Sequence, residues 1–299
     1  MQSEQYVDVP GGRVWCRTVG SGPGLPLLVL HGGPGFTCEY LDSLAELGDG
    51  RPVVMFDQLG CGRSDRPDDA SLWTVDRFVA EVACVRRALG LHQLHLLGQS
   101  WGAMLAVDVV LAGATGIAGL ILASPPLSIP LWMADARRLR AQLPERVQRT
   151  LAEHEERGFT ACPEYRAASL EYSRRYICRA DPWPDGYERS FVGEGEQVYH
   201  TMWGPNEFTV TGTLSSYDRT DRLAEITHPT LLTCGRFDEA TPEATLAYQE
   251  RMPNARTVVF ERSAHCAHLE EREAYLSELR TFLGAVESAD QLGAGSGAK

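Results

Sequence analysis

The chain has 299 residues, 43% of them hydrophobic, and a formal net charge of −12 at pH 7. This length and composition predict a folded domain with a sizeable core. The negative charge argues against nucleic acid or an anionic membrane as a partner.

The cysteines and the first residues indicate the compartment. The eight cysteines are scattered without a C-x-x-C pair, so neither a zinc ribbon nor a redox motif is indicated and reduced thiols are expected. The segment "MQSEQYVDVPGGRVWC" lacks the basic and apolar regions of a signal peptide. No apolar run reaches the length of a transmembrane helix. We therefore expect a cytoplasmic protein.

Short apolar runs alternate with helical segments along the chain. The predicted strands are, in order, "RVWCRTV", "LPLLVLHGG", "RPVVMFDQLG", "LHLLGQS", "GLILASP", "TLLTCGRFD" and "ARTVVFERSAH". The predicted helices include "VDRFVAEVACVRRALG", "WGAMLAVDVVLAG" and "AYLSELRTFLGAV". Continuous apolar runs are typical of strands buried on both faces. The alternation predicts an α/β fold, in which a mostly parallel central sheet carries helices on both faces.

The alternation stops after "ASPP". Residues 127–221 are polar and helical in character, and the alternation resumes at "HPTLLTCGRFD". We interpret this stretch as an inserted helical lid within a core formed by residues 1–126 and 222–288, the alternative being a second independent domain. Residues 289–299 are rich in glycine and small polar residues, which favours a disordered tail.

The segment "GQSWG" fits the G-x-S-x-G pattern of a nucleophile elbow. It follows a predicted strand and precedes a predicted helix, which is the context the pattern requires. A sharp turn would raise the Ser100 hydroxyl above the sheet in a strained conformation. Gly98 and Gly102 would remove Cβ atoms that would otherwise collide there.

A serine hydroxyl needs a base to act as a nucleophile. Asp238 follows one predicted strand and His265 follows the last, which gives the order Ser, Asp, His that an elbow requires. His265 would take the serine proton and Asp238 would orient the imidazole. His268 is the rival base. His92/His95 and His265/His268 have a spacing that resembles metal ligands, but no cysteine or carboxylate completes a site, so we expect neither a metal nor another cofactor.

Acyl transfer also needs donors for the developing oxyanion. The backbone N–H of Trp101, directly after the nucleophile, is one candidate. The other comes from "HGGPG" after an early strand, where we favour Gly33 over Gly32. His31 in the same motif is expected to be a structural hydrogen-bonding residue.

Together, "HGGPG", "DQLGCGRSD", "GQSWGAML", "GRFDEATP" and "SAHCAHLEE" resemble the proline iminopeptidase branch of the α/β-hydrolases. The resemblance covers roughly residues 25–280 and implies the α/β-hydrolase fold with an inserted helical lid. The segment "WGPNEFTVTGTL" is similar to the part of the tricorn-associated aminopeptidase that carries a carboxylate for the substrate's amino terminus. A second such carboxylate follows the triad aspartate in that family. The matching positions are Glu207 and Glu239.

This resemblance implies a serine amidohydrolase that removes an N-terminal amino acid from a small peptide or aminoacyl-amide. A free α-amine has a pKa of about 7.7–8.0, so two carboxylates could bind its ammonium form. The alternative is that Glu207 is a solvated lid charge and Glu239 a residue favoured at a helix start. Other functions left open are an amino acid amidase, a hydrolase that removes an aminoacyl group from a natural product, a carboxylesterase and a non-catalytic binding module. The sequence does not indicate an oligomeric state.

Overall fold

The computed structural model describes residues 2–160 and 162–296. Its central element is one eight-stranded sheet. Its strands are β1 (Gln2–Val9), β2 (Gly12–Val19), β3 (Leu27–Leu30), β4 (Val53–Phe56), β5 (Leu94–Gln99), β6 (Ile117–Ala123), β7 (Thr230–Gly235) and β8 (Ala255–Phe260). Their order across the sheet is β1-β2-β4-β3-β5-β6-β7-β8. The β1–β2 and β2–β4 pairs are antiparallel, and the others are parallel. The prediction of a mostly parallel sheet is confirmed.

The sequence patterns do not predict the first strand, β1. It lies at the edge of the sheet and is mostly exposed. Its sequence, QSEQYVDV, has no apolar run that a sequence pattern could detect. In contrast, β3 and β4 are buried along their whole length, as their continuous apolar sequences predict.

Helices cover both faces of the sheet. The helices outside the β6–β7 connection are α1 (Val75–Ala88), α2 (Trp101–Leu111), α8 (Pro242–Gln249), α9 (Ala267–Glu270) and α10 (Arg272–Ser296). Leu28 and Leu30 of β3 belong to the apolar cluster that contains residues of α1, α2 and α8. Leu27 and Val29 belong to the opposite cluster, with residues of α10 and of a 3-10 helix at Cys38–Asp49. The alternation along one strand therefore fills two separate cores.

Among its described residues, the connection between β6 and β7, residues 124–229, carries five α-helices and a short 3-10 helix at Thr220–Glu225. The α-helices are α3 (Ile129–Arg140), α4 (Glu145–Glu156), α5 (Pro163–Tyr176), α6 (Asp185–Val192) and α7 (Glu196–Met202). Leu139, Leu151 and Tyr172 form part of an apolar cluster within this connection. Trp132 and Trp203 instead join the cluster that packs on the sheet. The helical connection thus has apolar packing of its own and also shares the core of the sheet.

The last helix, α10, reaches further than the sequence suggests. It continues to Ser296, so the structure places residues 289–296 in a helix where a disordered tail was expected. Once a helix has formed, each further residue adds a hydrogen bond at little extra entropy cost, and the tail extends an existing helix. The remaining tail positions, 297–299, lie outside the described residues. Within the described ranges, no helix is long and apolar enough to cross a membrane.

Candidate active site

Ser100 occupies the turn between β5 and α2. Its backbone has φ 56° and ψ −123°, a conformation that a non-glycine residue rarely adopts. A Cβ atom on Gly98 would lie 2.0 Å from the carbonyl oxygen of Gly102, and one on Gly102 would lie 2.1 Å from that of Leu30. Both positions therefore require glycine. The geometry is the strained strand–turn–helix that the motif predicts.

Asp238 and His265 meet at the carboxyl ends of β7 and β8. The Nδ1 atom of His265 lies 2.7 Å from Oδ1 of Asp238, and both side chains are buried. Burial disfavours the charged imidazole, but the attraction and hydrogen bond of Asp238 outweigh burial and raise the pKa of His265. Asp238 thus stabilises the imidazolium form of His265, which is the form that a general base adopts after it has taken a proton.

Ser124, which the sequence analysis missed, supports this pair. Its hydroxyl donates to Oδ2 of Asp238 over 2.6 Å, and the backbone N–H of Ala240 donates to Oδ1 over 2.8 Å. Ser124 has φ 48° and follows β6 directly. Because the carboxyl ends of parallel strands share one edge, a polar residue directly after "GLILA" is the signal that could have identified it.

His268 is placed differently from His265. Its Nε2 atom faces the backbone carbonyl of Tyr40 at 3.2 Å. Burial lowers the pKa of His268 to about 3, so the ring is neutral at physiological pH. This environment favours a structural role for His268.

The "HGG" loop is held by a network of buried hydrogen bonds. The backbone N–H of Gln58 donates to Nε2 of His31 over 2.9 Å, so Nδ1 carries the proton and donates to the Gly32 carbonyl at 2.9 Å. His31 therefore acts as a structural residue, as expected. The N–H of Gly32 donates to the hydroxyl of Tyr40 over 2.8 Å. Since that donor is already engaged, the geometry favours Gly33 over Gly32 as the candidate oxyanion donor.

Gly33 and the elbow border the same cavity. Gly33 has φ 116°, and a Cβ atom there would lie 2.6 Å from the backbone nitrogens of Gly35 and Phe36. Trp101 is the first residue of α2, where backbone N–H groups have no partner within the helix. Its buried indole donates to Oε1 of Gln58 over 2.9 Å, which ties the elbow to the network around His31.

The cavity encloses about 610 Å³, counting the part open to solvent. Ser100, His265 and Glu207 line it together with Gly33, so four of the predicted site residues lie around one space. Its aromatic lining is Phe36, Tyr40, Tyr187, Phe191 and Tyr199. Six other aromatic residues of the helical connection lie outside this lining, within the described ranges: Trp132, Trp183, Trp203, Tyr165, Tyr172 and Tyr176.

Two of those tryptophans position Glu207. The indole N–H of Trp132 donates to the Glu207 carbonyl over 3.1 Å, and that of Trp203 donates to the same carbonyl over 3.3 Å. Burial raises the pKa of Glu207, while His265 and a hydrogen bond from Tyr199 favour the ionised form. The carboxyl is therefore close enough to His265 for the two groups to influence each other's charge.

Glu239 lies beside this group, deeper in the protein. It is 2% exposed, and its Oε2 atom makes no hydrogen bond to any part of the chain that the structure describes. Burial raises the pKa of Glu239 well above its usual range, and the negative charges of Glu207 and Asp238 add to that effect. Its close electrostatic neighbour is thus the other carboxyl that the sequence singled out. A buried acid of this kind favours a cationic ligand nearby.

The comparisons with known proteins agree with this geometry. Residues 26–272 match the α/β-hydrolase fold family, and the chain belongs to that family. It belongs more narrowly to the proline iminopeptidases, because it is 45% identical to the proline iminopeptidase of Heyndrickxia coagulans over 96% of this chain and 100% of that protein. The resemblance drawn from the motifs is confirmed.

Solved structures show the same similarity. The proline iminopeptidase of Mycobacterium smegmatis superposes with a TM-score of 0.90 at 38% identity, covering 96% of this chain and 100% of that one. VinJ superposes with a TM-score of 0.92 at 37% identity, covering 95% of this chain and 99% of that one. These matches confirm the α/β-hydrolase fold and identify the chain as a hydrolase.

Proposed function

We propose that this protein is a serine aminopeptidase that removes an N-terminal residue carrying a free amine, with proline as the first candidate. The observation that carries the proposal is that Ser100, His265 and Glu207 line one cavity. The relatives named above as proline iminopeptidases match almost the full length of the chain, which favours this activity over an amidase or a natural-product hydrolase.

In the proposed reaction, Ser100 Oγ attacks the carbonyl carbon of the first residue. His265 accepts the hydroxyl proton at Nε2, since its Nδ1 is held by Asp238 at 2.7 Å. The backbone N–H groups of Gly33 and Trp101 stabilise the oxyanion. His265 then returns the proton to the leaving amine, and an acyl ester on Ser100 remains. Water, activated by the same histidine, hydrolyses that ester and releases the amino acid.

The amine of the substrate binds to Glu207 and Glu239 in this proposal. Both carboxyls lie in low-dielectric surroundings, where a charge-assisted hydrogen bond is strong. An ammonium ion would supply the positive charge that lowers the repulsion between them. Because Glu207 and His265 are electrostatic neighbours, an amine on Glu207 sets the depth at which the chain enters. Only the first carbonyl would then reach Ser100.

The helical connection acts as a lid in this proposal. Residues 127–221 supply Glu194, Tyr199 and Glu207 to the cavity, and their tryptophans join the core that packs on the sheet. This shared core supports an insertion rather than an independent domain. The lid would block any chain that extends past the amine, which explains an exopeptidase on this fold.

The remaining expectations concern surroundings. We propose a cytoplasmic location and a peptide or aminoacyl-amide substrate. The cysteines support a reducing compartment because all eight are free.

The test compares wild type and Glu207→Gln on three substrates: prolyl anilide, N-acetylprolyl anilide and a short acyl ester. Leaving one charge of a desolvated pair unpaired costs about 2–5 kcal/mol, so the variant should lose roughly 30- to 5,000-fold in kcat/KM on the free-amine anilide. The ester should be hydrolysed almost equally by both proteins, since it does not use the clamp.

Wild type should cleave the acetylated anilide poorly, because acetylation removes the charge. Equal rates on the free and acetylated anilides would contradict the aminopeptidase proposal. The protein would then be better described as a general esterase or amidase, which is the second candidate function.

A further inference from the structure

Besides Glu207, a second carboxyl lines the cavity at a position that no sequence motif indicates. Glu194 lies between α6 and α7 in the segment "VGEGEQ" and borders the same space as Ser100 and Glu207. In sequence, it resembles an ordinary exposed charge between two glycines. Its neighbour Glu196 is exposed and lies outside this lining, so the two acids have different surroundings although they are two positions apart.

The backbone around Glu194 is fixed to the core on both sides. The N–H of Gly62 donates to the carbonyl of Gly193 over 2.8 Å, and the N–H of Gly195 donates to the carbonyl of Gly35 over 2.7 Å. Gly35 belongs to the "HGGPG" loop, which also carries Gly33. The segment is therefore attached directly to the loop that borders the nucleophile.

Close packing requires the two flanking glycines. A Cβ atom on Gly193 would lie 2.5 Å from Cγ2 of Thr37, and one on Gly195 would lie 2.3 Å from the carbonyl oxygen of Gly60. Any other residue at these positions would push the segment away from the core. The two glycines thus allow Glu194, which lies between them, to pack close to the core and to line the cavity.

The charged surroundings of Glu194 are dominated by other acids. Burial raises the pKa of Glu194 to about 7, and the charges of Glu207 and Glu196 add to the increase. Burial raises the pKa of Tyr199, which hydrogen-bonds with Glu207, and the charges of Glu207 and Glu194 add to the increase. The nearby cation, Arg66, donates to the backbone carbonyl of Glu194 over 3.4 Å.

An independent feature also points to a cation here. The carboxyl of Glu239 is buried, with the hydroxyl of Tyr172 beside it but no hydrogen bond to Oε2 from the described residues, and Glu239 is an electrostatic neighbour of Glu207. The cavity is therefore lined by two acids, Glu194 and Glu207, and the buried carboxyl of Glu239 lies behind it as an electrostatic neighbour of Glu207. A positively charged ligand is the chemistry that satisfies such a set.

We propose that Glu194 is a third substrate-binding carboxyl, which contacts the cationic amine together with Glu207 and so determines the preference for free-amine substrates. This role rests on the proposed aminopeptidase function. As the ammonium enters, it stabilises the ionised form of Glu194, so substrate binding is coupled to release of a proton. A neutral or acylated amino terminus would leave the repulsion between Glu207 and each of its two acidic neighbours, Glu194 and Glu239, uncompensated.

The test measures KM and kcat for Glu194→Gln, with Glu196→Gln as the matched control. A lost charge-assisted contact should raise KM for prolyl anilide about 10-fold and change kcat by less than about 2-fold. At a pH above the pKa of Glu194, about 7, Glu196→Gln should keep the wild-type KM and kcat, because Glu196 lies outside the cavity lining and its charge affects Glu194 only through that pKa. Glu196→Gln should also hydrolyse the short acyl ester at the wild-type rate, and Glu194→Gln should lose less activity on this ester, which has no amine, than on the anilide.

The pH profile separates direct binding from a structural effect. Ionisation of Glu194 favours binding of the cationic amine, so kcat/KM on the anilide should rise with pH through about 7 in wild type, in addition to the rise caused by deprotonation of His265. Glu194→Gln should make this acid limb shallower by one proton and leave the limb for the ester unchanged.

The outcomes distinguish the two proposals. If Glu194→Gln and Glu196→Gln behave alike on the anilide, or if the acid limb keeps its steepness, the role of Glu194 is overturned while the aminopeptidase function stands. If wild type does not prefer the free-amine anilide over its acetylated form, the aminopeptidase function itself fails, and the role of Glu194 fails with it.

Discussion

The two sides of the cavity differ in how their buried charges are satisfied. On the triad side, Asp238 accepts hydrogen bonds from Ser124, His265, Ala240 and Gly235. On the opposite side, which we call the lid side because Glu194 and Glu207 lie in the helical connection, burial raises the pKa values of Glu194, Glu207 and Glu239, and the charge of Glu207 adds to this effect at the other two. The carboxylate on the triad side has all its hydrogen-bond partners within the protein, whereas the acids on the lid side lack a positive charge beside them among the described residues.

This difference in pairing indicates which side of the cavity is suited to catalysis and which to substrate selection. A fully hydrogen-bonded carboxylate can be buried with little penalty, and it keeps His265 oriented whether or not substrate is bound. Poorly paired buried acids destabilise the folded chain. Such groups are typical of sites where a ligand supplies the missing charge. We therefore propose that the triad side carries out the chemistry and that the lid side selects the substrate.

The largest effect is expected on the triad side. Ser100→Ala should lower kcat on prolyl anilide by about 10⁴- to 10⁶-fold, because the nucleophile is lost. Its melting temperature should stay near that of wild type, since the removed hydroxyl lies at the cavity wall. The double variant with His265→Ala should be little worse than either single variant, because the triad acts as a unit.

His268→Gln is the control for the base. The side chain can still donate to the Tyr40 carbonyl, so the folded variant should keep most of its kcat. If His268→Gln lost as much activity as His265→Ala, the assignment of the base would be wrong. Substantial activity in Ser100→Ala would contradict the proposed mechanism as a whole.

A smaller effect is expected at Ser124. Ser124→Ala removes one donor from the Asp238 carboxylate, and a hydrogen bond to a charged group contributes about 1.5–3 kcal/mol, so kcat/KM should fall roughly 10- to 100-fold near neutral pH. The carboxylate would then attract the imidazolium more strongly. The pKa of His265 should therefore rise further, and the acid limb of the pH–rate profile should move to higher pH.

Ser128→Ala provides the comparison for this variant. Its hydroxyl donates to Oδ2 of Asp218 over 2.8 Å, so it loses the same kind of contact away from the catalytic pair. We expect it to keep the wild-type pH profile. An unchanged acid limb in Ser124→Ala would show that Ser124 does not act through Asp238.

The smallest expected effect, a change in stability, concerns the lid side. The folded state raises the pKa of Glu239, so stability should fall as pH rises from the usual range of a glutamate, about 4.3, toward the folded-state pKa. Glu239→Gln removes this loss. The variant should be more stable than wild type by about 1–3 kcal/mol at pH 8 and show no such gain below about pH 4.

Thermal unfolding at both pH values measures this difference. Glu250→Gln, an exposed change at the end of α8, should leave stability within about 0.5 kcal/mol of wild type. The gain in Glu239→Gln should accompany weaker binding of the free-amine anilide. A variant no more stable than wild type at pH 8 would contradict the view that the lid side holds uncompensated charge.

Much of the framework follows from local sequence patterns. Continuous apolar runs predict the buried strands β3 and β4, and "GQSWG" between a strand and a helix predicts the strained turn at Ser100. The order of Asp238 and His265 after later strands predicts their meeting, because parallel strands end at one edge. These features depend on periodicity, chain order and the steric needs of glycine, all of which are visible in one dimension.

The tertiary structure decided which groups are satisfied. Ser124 reaches Asp238 and the Gly32 N–H is engaged by Tyr40, although each pair comes from separate elements of the fold. Glu194 and Glu196 are the same residue type in similar local sequence. Of these two described residues, Glu194 lines the cavity and Glu196 does not. Burial, pKa and hydrogen-bond partners arise from contacts between distant segments, so local pattern does not encode them. The sequence by itself therefore determined the fold and the catalytic residues to be tested, and the packing of the helical connection on the sheet decided how charge is distributed around them.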